Sequence, residues 1–186
     1  MIESPTNPLL TIIDIRKVAE VAQDRGITTI IDNTFATPIN QRPLALGIDV
    51  VVHSGTKYLG GHSDLCCGVA LTSKKRAGPI RAVARHLGGS LNAITCYLLE
   101  RSLKTLALRV ERQSSNALRI AEFLSEQDTV RTVNYPGLPG FEGNPIAKAQ
   151  MTGFGAMFIF LYLCFHGSFP AGSLYRPYIV ILPLLF

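Results

Sequence analysis

Val50-Val51-Val52-His53-Ser54-Gly55-Thr56-Lys57-Tyr58-Leu59-Gly60-Gly61-His62 runs from an unbroken β-branched segment into a cluster of hydroxyls, glycines and one lysine. The valines show no polar alternation, which predicts a strand buried on both faces. Such strands belong to mainly parallel sheets, where ligands gather beyond the carboxyl ends. Ser54, Thr56 and Lys57 follow that end at once. Hydroxyls and backbone N–H groups there hold a phosphate, and a nearby amine attacks an aldehyde. The stretch therefore predicts an α/β sheet with a site for a phosphorylated aldehyde of the pyridoxal type.

The flanks alternate in the way that reading requires. Asp14 is a plausible N-cap, and Ile15, Val18, Ala19 and Ala22 then line one helical face, with Gly26 as the stop. Ile27-Thr28-Thr29-Ile30-Ile31 predicts a second buried strand, and Val69-Ala70-Leu71 a third. Residues 93–126 read as helix, too long for one ordinary helix and so expected to be two or to cross a domain boundary. Ala117, Ile120, Ala121 and Leu124 form its apolar face, and Glu100 pairs with Lys104. Val130 to Val133 is expected to open a smaller domain, after which Asn134 to Gly140 is a turn-rich loop. Beyond about Phe158 the apolar runs Ile159–Phe165 and Tyr178–Leu182 show neither clean period. They are read as a tail out of register with the rest, a truncated or mis-spliced end rather than a true extension.

Composition removes several classes. The chain has 186 residues, 47% hydrophobic and 17% charged, with a net charge of +5, so it is not a disordered chain. Lys74, Lys75 and Arg76 are the only tight basic cluster, without a stacking platform, so nucleic acid is not expected as a partner. The apolar runs are too short to span a bilayer, which needs about 20 residues. Cys66, Cys67, Cys96 and Cys164 form no disulfide framework, and His62, Asp64, Cys66 and Cys67 lack metal-ligand spacing. A reducing, cytoplasmic location without a metal is expected, with the cysteines as buried structural thiols. Gly55-Thr56-Lys57 lacks the P-loop frame, no G-x-G-x-x-G joins strand to helix, and Ser54 has no hydrolase triad.

Asp32 closes the Ile27–Ile31 strand, so it converges with Ser54, Thr56 and Lys57 if the two strands are neighbours. A carboxylate there holds a pyridine nitrogen protonated and makes the ring an electron sink. His53 is read as a packed strand-end residue and His62 as a loop residue shaping the lysine's turn.

Three motifs go further: Glu3-Ser4-Pro5-Thr6-Asn7-Pro8, Asp32-Asn33-Thr34-Phe35-Ala36-Thr37-Pro38 and Ser54 to Asp64. In order and spacing they resemble the Cys/Met-metabolism pyridoxal-phosphate enzymes, the family of cystathionine γ-synthase, cystathionine β- and γ-lyases and methionine γ-lyase. Leu103-Lys104-Thr105-Leu106, Arg109-Val110, Asn134 to Leu138 and Gly153-Phe154-Gly155 extend the resemblance to about residues 1–158. It implies an aspartate-aminotransferase-like, fold type I large domain, incomplete, with the start of a small α+β C-terminal domain. Residues 1–112 would be part of the cofactor domain, 113–158 the start of the C-terminal domain, and 159–186 a divergent apolar tail.

The cofactor implied is pyridoxal 5′-phosphate. Lys57 would be the catalytic Schiff-base lysine and proton shuttle, with its pKa depressed by cationic neighbours and burial. Asp32 would pair with the pyridinium, Ser54 and Thr56 would bind the phosphate, and Asn7 would contact the ring's 3′-oxygen. The implied chemistry is elimination or replacement at the β or γ carbon of a sulfur amino acid, cystathionine being the central expectation, in a homo-oligomer, a tetramer. The resemblance begins at Glu3, so the family's upstream half is expected to be missing, and the tail replaces the region of the substrate-carboxylate arginine. Cys66-Cys67 departs from the family's smaller residues. The alternative is a non-catalytic fragment keeping part of the cofactor site or an oligomer interface, and the isolated chain is expected to show weak or no activity.

Overall fold

In the computed structural model, which describes residues 1–163 and 177–183, the valine run lies inside a four-stranded sheet. Strands β1 (Ile2–Glu3), β2 (Ile30–Asp32), β3 (Val50–Ser54) and β4 (Gly68–Thr72) stand in that order. The first three are parallel and β4 closes the edge antiparallel to β3. Because β1, β2 and β3 run the same way, their carboxyl ends share one edge.

The second strand is shorter than its β-branched run predicts. Ile27 is exposed and Thr28 lies outside the ladder. Gly26, at φ +64°, prolongs the turn off the preceding helix, and Ile27 N–H donates to Ala22 O at 2.9 Å. Thr29 N–H goes to the Asp49 carboxylate (2.9 Å), so pairing starts at Ile30. The strand expected at Val69–Leu71 is β4, but among the described residues it has a partner on one side only, and Ala70 and Leu71 are exposed.

Helix α1 (Ile15–Gln23) begins as its cap predicts, with Asp14 Oδ1 accepting from Lys17 N–H at 3.0 Å. Its face Ile15 and Ala19 packs with Ile31, Ile48 and Val51 into one core. A short helix, α2 (Thr37–Asn40), follows β2, and a 3₁₀ turn, Pro43–Leu46, leads to β3. Gly47 closes that turn at φ +97°, where a Cβ would press on Ala19.

Beyond β4, α3 (Lys74–His86) buries no residue. The long helical stretch is two helices, α4 (Ala93–Leu103) and α5 (Leu106–Ser125), broken at Lys104–Thr105, and Glu100 pairs with Lys104 at 3.6 Å. A second, antiparallel sheet orders β5 (Val130–Asn134), β6 (Met157–Leu163) and β7 (Pro177–Pro183), with helix α6 (Asn144–Gln150) between the first two. Runs that show no strand period in the sequence therefore build β6 and β7. The reason is position: β6 is paired on both edges, and Phe158 and Ile159 are both buried, so apolar residues follow one another without alternation.

Helix α5 joins the two sheets. Leu106 and Val110 pack on Tyr58, Leu59 and Ala156, while Ala117 and Ala121 pack on Tyr135 and Phe158. Among the described residues no helix is long and apolar enough to cross a membrane.

Candidate active site

Asp32 ends β2 and lies opposite Val52 of β3 in the parallel register, so Ser54, two residues on, projects from the same face as Asp32. Thr34 ties the two strand ends together. Its hydroxyl donates to Asp32 Oδ1 at 2.6 Å and accepts from Ser54 N–H at 2.8 Å, and its own N–H also reaches Asp32 Oδ1 at 2.9 Å. One carboxylate oxygen is thereby fixed. Among the described residues nothing bonds Oδ2. Sequence reasoning misses Thr34; the Asp-x-Thr spacing of an Asx turn is the local signal that finds it.

The chain then makes one wide turn of π type, Gly55–Leu59, closed by Gly60 N–H to Gly55 O (2.8 Å) and Gly61 N–H to Lys57 O (2.7 Å). Lys57 sits in it at φ −89°, ψ −117°, outside helical values. Single wide turns of this kind are concentrated at functional sites. Tyr58 turns its ring into the core, and burial pushes its phenol up to about 12, partly offset by a hydrogen bond with the Ala156 backbone. The Lys57 side chain is exposed, so the burial expected around its amine is not supplied by the described residues.

Thr56 is engaged already. Its hydroxyl accepts from Cys67 N–H at 3.0 Å and lies 3.4 Å from Cys67 O. Cys67 is buried against Gly55, where any Cβ would overlap its sulfur. Burial raises its thiol pKa. Cys66 and Cys96 are exposed, which corrects the expectation that all these thiols are buried. His53 is buried as expected; burial pushes its pKa down and Asp32 opposes that. His62 is an exposed loop residue whose Nδ1 lies 2.7 Å from Gly60 O.

Asn7 is exposed in the loop beyond β1, next in the sheet to β2. That loop is folded by Leu10 N–H to Thr6 O (2.8 Å) and Thr11 N–H to Thr6 Oγ1 (3.0 Å). Beneath it lies a buried amide network that sequence reasoning missed. Gln41 Nε2 donates to Ser4 O (3.0 Å) and Asn33 Oδ1 (2.7 Å), and Gln150 Nε2 donates to Ile13 O (2.9 Å). The five predicted site residues thus all lie at or beyond the carboxyl ends of three adjacent parallel strands.

The donor set at that edge fits pyridoxal phosphate: among the described residues it holds a carboxylate with one free oxygen, an amine outside any ion pair and, in Ser54, a hydroxyl with no partner. No group of three His, Cys, Asp or Glu residues is placed to hold a metal among the described residues.

Known proteins place the chain more closely. The profile of the Cys/Met metabolism PLP-dependent enzymes matches residues 1–165. Cystathionine gamma-synthase 1, chloroplastic, of Arabidopsis thaliana is 50% identical over 158 residues, which are 85% of this chain and 28% of that protein. Cystathionine beta-lyase of Lactococcus lactis subsp. cremoris (strain MG1363) is 48% identical over 159 residues, 85% of this chain and 42% of the relative. In three dimensions, cystathionine gamma-lyase from Lactobacillus plantarum, complexed with L-serine, superposes with a TM-score of 0.83 at 45% identity over 86% of this chain and 42% of that one. The chain spans less than half the length of these relatives.

Proposed function

The chain belongs to the Cys/Met metabolism PLP-dependent enzyme family, and from that membership we propose that it is part of an enzyme acting on a sulfur amino acid such as cystathionine, cysteine, homocysteine or methionine, by elimination or replacement at the β or γ carbon. The observation that carries the proposal is the placing of Asp32 and Ser54 at the ends of adjacent parallel strands and of Lys57 just beyond, with Thr34 bonded to the first two residues.

Bound there, pyridoxal 5′-phosphate would supply an electron sink for the charge left at the substrate Cα. Asp32, free at Oδ2, would accept the ring N–H. Ser54 would donate its hydroxyl to the phosphate, and Thr56 would do the same by turning its O–H from Cys67 O while still accepting from Cys67 N–H. Asn7 would donate its side-chain amide to the ring oxygen. Lys57 would hold the cofactor's aldehyde through its amine and would carry the proton taken from the substrate Cα. Lys57 is exposed here, so turnover by the chain alone is expected to be low.

The same reading makes the protein a cytoplasmic homo-oligomer, a tetramer. Exposed apolar side chains on α3, at its C-cap and on α4, among them Val83, Leu87, Ile94 and Tyr97, support a surface that another subunit covers. Free thiols at Cys66, Cys67 and Cys96 suit a reducing compartment.

Purified chain mixed with pyridoxal phosphate is expected to develop a visible absorption band that Lys57→Ala abolishes. A wild-type chain that stays colourless overturns the cofactor assignment. Assays for ammonia and keto acid released from cystathionine, cysteine and methionine then measure turnover separately from binding.

A further inference from the structure

The turn that carries Lys57 leaves carbonyls that its own backbone does not pair. Gly55 O and Lys57 O receive the N–H groups of Gly60 and Gly61. Tyr58 O and Leu59 O come next, and Lys57's non-helical backbone takes them out of the regular ladder. An unpaired carbonyl in a half-buried place costs free energy, so something must donate to them.

The donor is Arg109, 51 residues away from Tyr58 on α5. Its Nη1 donates to Tyr58 O at 2.8 Å and its Nη2 reaches Leu59 O at 3.5 Å. The same guanidinium is held from behind: Nη2 donates to Ser102 O at 3.0 Å, at the end of α4, and Nε donates to Thr105 Oγ1 at 3.1 Å, at the helix break. Gly61, at φ +73°, lets it in, because a Cβ there would overlap the guanidinium. His62 Nδ1 lies within hydrogen-bond reach of the next carbonyl, Gly60 O, and Ser102 Oγ is 3.4 Å from the same ring.

We propose that Arg109 is the positioning residue of the lysine turn: its planar fork bridges the α4–α5 break and the carbonyls after Lys57, and so sets the backbone from which the Lys57 amine is presented. The proposal rests on the reading of Lys57 as the cofactor-bearing amine, while the clasp itself is a property of the free chain. A planar fork suits the place, since its separate nitrogens reach Tyr58 O, Ser102 O and Thr105 Oγ1 from one rigid group, whereas an ammonium's three donors share a single nitrogen. The arginine is distant from the motif in sequence, and its contribution acts entirely through the backbone of residues 58–61.

The test reads the turn without cofactor. Amide hydrogen exchange is followed at Gly60 and Gly61, whose N–H groups close the turn, and at Asn33, whose N–H donates to Val52 O in the same sheet. In Arg109→Met, exchange at Gly60 and Gly61 is expected to quicken about tenfold or more while Asn33 is unchanged. Arg109→Lys, with one donor group restored, is expected to show a smaller rise confined to the same two amides, and it carries the test if the methionine variant does not fold. Unchanged exchange at Gly60 and Gly61, or an equal rise at all three amides, overturns the proposal. With pyridoxal phosphate added, Arg109→Met is expected to need several-fold more cofactor for a half-maximal visible band. A wild-type chain that shows no band removes the reading of Lys57, whereas the exchange result still decides the clasp.

Discussion

At the scale of single residues, the edge is organised by a hydroxyl that carries no charge and does no chemistry. Thr34 Oγ1 donates to Asp32 at 2.6 Å and accepts from Ser54 N–H at 2.8 Å, so one atom sets the distance between a carboxylate and the strand bearing the lysine turn. Thr34→Val keeps the shape and deletes the bridge. The partly buried Ser54 N–H then loses its acceptor, at a cost of about 1–3 kcal/mol. Denaturant unfolding is expected to show that loss, and titration with pyridoxal phosphate a weaker affinity by about tenfold, since Asp32 Oδ1 then keeps only the Thr34 N–H bond. Thr34→Ser restores the hydroxyl and is expected to recover both. A valine variant that binds cofactor like wild type removes Thr34 from the site.

Asp32, Ser54 and Lys57 were legible because strand-end position and side-chain type both follow from local sequence. The engagement of Thr56 was not legible. Ser54 pairs with Gly68 in the β3–β4 register, which carries Thr56 on to Cys67. That meeting depends on two strands finding each other, and no spacing rule within either strand announces it.

Elements are joined by a similar device at the opposite end of the sheet. Asp49, just before β3, accepts from Thr29 N–H (2.9 Å) and from Thr29 Oγ1 (3.1 Å), and Arg76 of α3 donates to it at 2.6 Å. Thr72 Oγ1 adds a bond from β4 to Asp49 O at 2.7 Å. The Thr29 N–H lowers the Asp49 pKa most, with smaller contributions from the Thr29 hydroxyl and Arg76, and burial works against them. A folded-state pKa below the unfolded one stabilises fully above the unfolded pKa, and the benefit is lost as pH falls through the lowered value. Asp49→Asn is therefore expected to lower Tm at neutral pH, with the gap from wild type closing below about pH 4. A gap constant from pH 7 to pH 3 excludes the charge as its cause.

Element types followed from periodicity where one face is buried, as in α1 and α5. Helix α3 was harder to read, because Gly78 and Pro79 interrupt it and it buries nothing that would impose a period. Only its start, with Ser73 accepting from Arg76 N–H, carries a local helix signal.

For the whole molecule the question is whether the two sheets unfold as one. Helix α5 touches both, through Leu106 and Val110 at the lysine turn and through Ala117 and Ala121 at Tyr135 and Phe158. Tyr135 adds polar ties, its hydroxyl lying 3.2 Å from Ser114 O on the helix and 3.0 Å from Gly155 O before β6. The helix is 20 residues long, and no break divides its two contacts. Loss of packing at one end should therefore be felt at the other. Phe158 is fully buried in the second sheet, and Phe158→Ala is expected to cost about 3–5 kcal/mol. Cys67 is the distant reporter, since its thiol is buried against Gly55 where β3 and β4 of the first sheet meet the lysine turn. Site-resolved thiol labelling of Cys67 and far-UV circular dichroism are expected to give one common urea transition in wild type, and in Phe158→Ala a common transition at lower urea. Cys67 becoming reactive at the wild-type urea concentration while the dichroism moves would show two independent units, with α5 as a tether between them. A shared shift means that the strand pairing of the second sheet supports the backbone on which Lys57 is mounted.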